Sequence, residues 1–161
     1  NHFSDGTELK LELVSYSTGN DTVVTVKDFR SVVKSLYDVE RPKGYLIPKS
    51  LKTLIDWADR HELKYFDYKK SADDKIEQYF ITGIDSIDFE GDMVVNPGLM
   101  NTDITNQINQ SDYIFIPVNQ LRNNMIVIAL EPKSQLGLAA YKQFGDLLKS
   151  GTNYPILRVA D

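Results

Sequence analysis

The sequence predicts a mixed α/β domain, in which a mixed β-sheet carries about three helices on its faces. Three observations lead there. Short runs of β-branched and aromatic residues recur between turn residues, which is the composition of strands. Residues 113–116 (Tyr-Ile-Phe-Ile) are apolar at every position, as a strand covered on both faces must be, and so predict helices on both sides of the sheet. Apolar residues at helical spacing follow residues 50, 122 and 134.

Taken in order, Leu9, Leu11 and Leu13 alternate with Lys10, Glu12 and Ser15 and predict a half-buried strand. Gly19-Asn20-Asp21 supplies turn chemistry before the β-branched run 22–26, so the pair reads as a hairpin. Val32, Val33, Leu36 and Tyr37 fit either a further strand or a short helix and are read as strand. In Arg41-Pro42-Lys43-Gly44-Tyr45-Leu46-Ile47-Pro48, Pro42 biases Arg41 toward extended backbone, and Tyr45, Leu46 and Ile47 read as a buried strand that Pro48 closes. Ser50 stands where it can cap a helix over residues 51–61, whose Leu51, Leu54, Ile55 and Ala58 share one face. Residues 63–68 have strand composition. Residues 45–68 therefore predict a βαβ-like unit with a right-handed crossover and some parallel pairing.

Residues 76–89 hold two strand-like runs broken near Gly83 or Asp85, and Glu90-Gly91-Asp92 turns the chain into Met93, Val94 and Val95 for antiparallel pairing. Asn96-Pro97-Gly98 opens a polar loop that lasts through Asn109. After the strand 113–116, which is expected to be the most buried, a helix over 123–130 is stopped by Pro132. A second helix is predicted over 135–149, with Ser134 as N-cap, Ala140, Phe144, Leu147 and Leu148 on one stripe, and Gly151 as its stop. The chain reads as a single domain: a hairpin-rich part over 1–39 and an α/β part over 40–161.

Composition narrows the function. A chain of 161 residues buries about two thirds of its unfolded surface in one core. No apolar run approaches the ~20 residues of a membrane span. The net charge of -5 and pI near 5.0 argue against nucleic acid as a partner, since Lys49, Lys52, Lys69 and Lys70 are scattered among acids. With no cysteine there is no disulfide, thiolate nucleophile or cysteine zinc site, and the compartment stays open. The start Asn-His-Phe-Ser has neither an initiator Met nor a signal-peptide pattern and reads as a cut from a longer chain.

Motifs for catalysis are missing. The two histidines are His2, in a start expected to fray, and His61, which Glu62 follows without a second His four residues on. His61 reads as a surface residue at a helix end, placed well against the helix dipole. The acid pairs Asp73/Asp74 and Asp85/Asp88 have the residue type that glycoside hydrolysis uses, but they fall in a predicted turn and a predicted strand break. No nucleophile elbow or phosphate loop occurs. Tyr65, Phe66, Tyr68, Tyr79 and Tyr113 invite a sugar-binding platform, but at strand positions such residues fill cores or bridge strands, which is the reading preferred here. No catalytic, cofactor-binding or metal-ligating residue is expected in this chain.

The 41–48 stretch gains meaning beside two others. One is Asp112-Tyr113-Ile114-Phe115-Ile116-Pro117-Val118-Asn119-Gln120, which leads to Ile128-Ala129-Leu130-Glu131-Pro132-Lys133-Ser134; the other is Tyr154-Pro155-Ile156-Leu157-Arg158-Val159. In order and spacing they resemble the C-terminal accessory region of bacterial zinc carboxypeptidases of the carboxypeptidase A-like (M14) family. There a catalytic domain precedes a Pro-Lys-Gly/Ala-Tyr strand, a strand ending in a Pro-x-x-Gln turn, and a Leu-Glu-Pro-x-Ser helix end. The likeness runs from about Glu40 to the C-terminus, with Leu121 where Pro is usual and Lys133 where an acid is usual. Residues 1–39 match nothing known to us.

The resemblance implies a non-catalytic accessory domain whose partner is its own N-terminal catalytic domain, missing from this chain. That domain would hold zinc and act on peptides or peptidoglycan, in an exported bacterial parent. Arg41, Gln120 and Glu131 are the polar members of the motifs, and each adjoins an apolar run, so they read as partners in buried or interface hydrogen bonds. The expected interdomain contact comprises Asn119, Gln120, Arg122, Asn123 and Glu131. The alternative is an independent carbohydrate- or peptide-binding module that tethers its parent to cell-wall material; an autonomous hydrolase is a third reading.

Overall fold

A computed structural model describes residues 2–35, 37–89 and 91–160. Its contacts divide the chain into two compact units, Asn1–Glu40 and Arg41–Asp161.

The first unit holds four strands, β1 (His2–Phe3), β2 (Leu9–Val14), β3 (Asp21–Val26) and β4 (Val32–Val33). β2 and β3 form the expected hairpin, in register from Leu9 opposite Val26 to Val14 opposite Asp21. Gly19 makes the turn at a φ of +68°, a conformation that glycine adopts without steric cost. β1 pairs with β4, so His2 belongs to a strand rather than to a frayed start. The His2 side chain and Leu36 lie outside the described residues, as does Glu90 of the turn predicted at 90–92. No described residue of this unit is buried.

The second unit is built on β5 (Gly44–Pro48), α1 (Lys52–Arg60), β6 (Phe66–Asp67), β7 (Lys75–Phe89), β8 (Asp92–Asp103), β9 (Tyr113–Pro117), α2 (Asn123–Leu130) and β10 (Leu157–Ala160). The chain is mixed α/β, and its six strands here run in the order β6-β9-β5-β10-β7-β8. The predicted parallel pairing does not occur. β5 and β6 are both antiparallel to β9, which lies between them, so they run the same way without touching. The all-apolar β9 takes that place by pairing with β5 along all five residues.

The strands alternate between two apolar layers. Tyr45, Ile47, Ile114 and Ile116 face the larger one, which also receives Leu54, Trp57 and Ala58 from α1 and Ile126, Ala129 and Leu130 from α2. Leu46, Leu157, Val159, Tyr113 and Phe115 face the smaller one, closed by Tyr68, Ile104 and Ile108 rather than by a helix. Helices thus cover one face only, because the chain after β8 returns over the other face as a loop carrying Ile104 and Ile108. The most buried strand is accordingly β5 rather than β9, whose Tyr113 and Phe115 are half-buried. Gly44 is what lets β5 and β9 approach: a side chain there would collide with the Phe115 ring and the Ile116 carbonyl.

Three further expectations are corrected. The predicted polar loop from Asn96 is strand as far as Asp103, paired with β7 across an irregularity between Ile81 and Gly83. An edge strand tolerates Pro97, whose missing N–H interrupts no ladder on the open side. Ser50 does not cap α1; the residue at that position is Leu51, with no side-chain bond. The predicted helix 135–149 is two 3₁₀ segments, Leu138–Ala140 and Lys142–Leu147. Gly137 is wedged where a β-carbon would lie 2.9–3.2 Å from the carbonyls of Glu131, Ser134 and Ile128, and Gly145 weakens helix propensity again. Ser134 donates its N–H to the Glu131 carbonyl and so continues the turn instead of capping. Phe144, Leu147 and Leu148 are still buried, and Gly151 turns the chain at a φ of +77°. Among the described residues no helix is long and apolar enough to cross a membrane.

Candidate functional site

The three recognised stretches meet in one buried polar cluster. Arg158 of β10 stands opposite Tyr45 of β5 on one side and opposite Glu77 of β7 on the other. Glu131 enters from above, at the residue where α2 ends. Arg158 donates from Nη1 to Glu77 Oε2 at 3.0 Å, and its Nε lies 3.0 Å from Glu131 Oε1. Tyr45 donates its hydroxyl to the same Glu131 oxygen at 2.7 Å, and the guanidinium sits 5.5 Å from the centre of the Tyr79 ring. Tyr154 donates to the Leu130 carbonyl at 3.1 Å, and Lys75 reaches Glu77 Oε1 from the rim at 2.9 Å. Arg158, Glu131 and Glu77 are only 7%, 4% and 8% exposed, so the charges are held largely without water.

Burial and charge pull these groups apart. Burial lifts Glu131 above the ordinary carboxylate range, outweighing the charge of Arg158 and the hydrogen bonds from Tyr45 and Tyr79. Burial acts in the same direction on Glu77, but hydrogen bonds from Lys75 and Asn101 and the charges of Lys75 and Arg158 prevail, so its carboxyl sits below that range. Burial alone would lower Arg158, yet Glu131, Tyr79, Tyr45 and Glu77 keep it firmly protonated. The hydroxyls of Tyr45 and Tyr154 are pushed far up, first by burial and then by the Glu131 charge.

Perturbed groups gathered at a cavity are the usual mark of a reactive site. Among the described residues, this cluster encloses little space. The gap lined by Tyr45, Tyr79, Leu130, Glu131, Pro132, Tyr154, Ile156 and Arg158 amounts to ≈ 130 Å³ between atoms and admits no water-sized sphere. The cluster joins β5, β7, β10 and the end of α2. Sequence reasoning singled out Glu131 but not Arg158 or Glu77. The available signal was a lone charge inside the apolar run Ile156-Leu157-Arg158-Val159, which requires a partner.

Of the other expected contact residues, Gln120, Arg122 and Asn123 bond locally. Gln120 accepts from the Lys64 amide at 2.8 Å and donates to the carbonyls of Lys64 (3.0 Å) and Pro117 (2.7 Å), clamping the approach to β6. Arg122 donates to the His61 carbonyl and lies 3.6 Å from Glu62. Asn123 caps the Asn124 amide at 2.6 Å, and Arg41 donates to Asn124 Oδ1 at 2.7 Å. Asn119 is exposed, and Glu131 lies in the core rather than at the surface.

His61 sits at the end of α1 as expected, with Nδ1 2.8 Å from the Trp57 carbonyl. Asp74 organises a turn by accepting from Tyr68 and Ser71, and Asp85 and Asp88 lie on opposite faces of β7. The aromatic residues do not form one platform. Tyr65 and Tyr79 belong to the larger layer, Tyr68 and Tyr113 to the smaller, and Phe66 stands edge-on to Phe115 with its ring centre 5.5 Å away. Among the described residues no group of three or more His, Asp or Glu side chains is placed to hold a metal ion. No protein-family model, no curated protein and no solved structure matches the chain.

Proposed function

We propose that this chain is a non-catalytic accessory domain of a zinc carboxypeptidase-like protein, and that the outer side of α2 packs against the parent's catalytic domain. The observation that carries the reading is that polar residues from all three recognised stretches bond within the fold. Tyr45, Glu131 and Arg158 join the sheet to α2, and Gln120 clamps the neighbouring chain. Residues that build a fold in this way are not facing a substrate.

What faces outward near these stretches is apolar. α2 reads Asn-Asn-Met-Ile-Val-Ile-Ala-Leu, a helix apolar nearly all round, and such helices are normally covered on every side. Leu121 just before it is 85% exposed, and Ile128, Leu136 and Tyr141 are exposed as well. The interface therefore centres on Leu121 and Ile128, with Asn119 and Arg122 at its rim and Glu131 beneath it. Contacts of this kind within one polypeptide bury ~600 to 1,500 Å². In this reading zinc and the peptide-cleaving residues belong to the catalytic domain.

Amide exchange provides the test. In the full-length parent, exchange over residues 121–130 slows relative to the isolated chain, and Ile128→Asp removes the difference. Unchanged exchange, stoichiometric zinc in the isolated chain purified without a tag, or C-terminal cleavage by that chain that survives repurification overturns the proposal.

A further inference from the structure

The β2–β3 hairpin of the first unit presents an apolar side that no described residue buries. Leu9, Leu11 and Leu13 share that side with Val24 and Val26, and Leu11, Leu13 and Val24 are exposed on it. An isolated two-stranded hairpin is at best marginally stable in water, whereas three or more strands with an apolar face can stand alone. The open edge of β2 identifies what supplies the further strands.

The Ser15 amide donates to the Asn20 carbonyl at 2.8 Å, and the register is unbroken from Val14 opposite Asp21 to Leu9 opposite Val26. Hydrogen-bonded and non-hydrogen-bonded pairs alternate along an antiparallel ladder. Leu9, Leu11 and Leu13 therefore direct their N–H and C=O groups at β3, while Lys10, Glu12 and Val14 direct theirs at the open edge. The outer strands of the six-stranded sheet are blunted against pairing, β8 by Pro97 and β6 by its length of two residues. β2 has no proline or bulge, and its edge lysine, Lys10, stands two residues from an acid, Glu12.

A twofold axis at Leu11 makes this edge its own complement. Leu11 then faces Leu11 of the second copy as a non-hydrogen-bonded pair, Leu9 faces Leu13, and Lys10 faces Glu12 and exchanges backbone hydrogen bonds with it. Opposite charges directly across antiparallel strands attract, and the leucines meet on one side of the joined sheet. An axis at Glu12 would oppose like charges. One at Val24 on the β3 edge would set Val23 against Thr25, with no charge to match.

We propose that the open edge of β2 is a self-association surface, through which two copies of this chain pair antiparallel about Leu11 into the four-stranded sheet β3-β2-β2-β3. A contact of one short strand is small and hence weak, so at micromolar concentration the hairpin stands open. The surface lies within residues 1–40 and holds whatever the function of residues 41–161.

Sedimentation of the whole chain between about 5 μM and about 1 mM provides the test. A reversible dimer is expected, weakened at least tenfold by Lys10→Glu and by Glu12→Lys. Mixing these two variants restores opposite charges on both sides of the axis and should give a heterodimer, which a merely unfolded hairpin could not form. In this cysteine-free chain, Leu11→Cys should yield a disulfide-linked dimer under copper–phenanthroline oxidation, because Cα atoms of a non-hydrogen-bonded pair lie about 4.5 Å apart. Val24→Cys, one strand further out, should not. Four results each overturn the proposal: a chain monomeric at 1 mM, which leaves the hairpin to another protein; a dimer that the charge variants leave intact; a mixture that associates no better than its components; or Val24→Cys linking as readily as Leu11→Cys, the mark of hairpins packed face to face.

Discussion

In the β2–β3 hairpin, Leu9, Leu11 and Leu13 alternate with polar residues and stand across from Val26, Val24 and Thr22, yet Leu11 and Leu13 remain 38% and 47% exposed. In β5, Tyr45, Leu46 and Ile47 follow one another without alternation, and none is more than 1% exposed. Alternation fixes that a segment is a strand and which residues share a side; it does not supply the surface that covers that side. β5 obtains its cover from residues far along the chain: β9 and β10 beside it, α1 and α2 over one face, Ile104 and Ile108 over the other. Each such fully buried side chain stabilises the fold by roughly 1.5 to 3 kcal/mol, a contribution the hairpin's leucines largely lack.

The largest expected effect lies where long-range cover is also polar. Arg158→Met leaves Glu131 buried without a cation and Glu77 with Lys75 alone, and should cost about 3 to 5 kcal/mol in urea unfolding of the 41–161 unit. Adding Glu131→Leu removes the stranded carboxylate, so the double variant should recover part of that loss. A cost below about 1 kcal/mol for Arg158→Met would remove the cluster from the account of how β5, β7, β10 and α2 are joined.

Legibility in the sequence follows the same division. The β2–β3 hairpin, β5, α1, β9 and α2 were readable because Gly19, Pro48 and Pro132 punctuate them locally and their apolar residues repeat at local periods. Strand order was not, because the placing of β9 between β5 and β6 is decided by contacts across some seventy residues of sequence. The lost helix at 135–149 has a related cause: its stripe of apolar residues was real, but Gly137 was fixed by carbonyls of the preceding turn. In the candidate site, Glu131 was legible as a polar residue beside an apolar run. Glu77 was not, because nothing local marks it as the partner of a residue 81 positions away.

A smaller effect separates the two carboxylates that share Arg158. Glu77 lies below its ordinary value of 4.5 in the folded state, so its contribution is present above pH 4.5 and is lost as pH falls through the folded value. Glu131 lies above 4.5, so its contribution is present below pH 4.5 and is lost as pH rises through its folded value. Urea titrations from pH 3 to 7 should show Glu77→Gln flattening the acid limb of stability, and Glu131→Gln flattening the decline on the other side. An acid limb that Glu77→Gln leaves unaltered would mean that Lys75 and Arg158 do not hold this carboxylate ionised.

The smallest effect is expected in the hairpin, and it tests the comparison from its weak side. Leu11→Ser removes an apolar side chain from a face that no described residue covers, so little buried area is lost and the unfolding midpoint of the 41–161 unit should move by less than about 0.5 kcal/mol equivalent. Leu46→Ala in β5, by contrast, opens a cavity at a site that is 0% exposed and should cost about 2 to 5 kcal/mol. Both substitutions truncate one leucine in a strand, and the gap between their costs is set chiefly by how well each leucine is covered. A Leu11→Ser cost above 1 kcal/mol would show that the hairpin face is covered in solution, and the contrast between the two units would then become one of which surface does the covering.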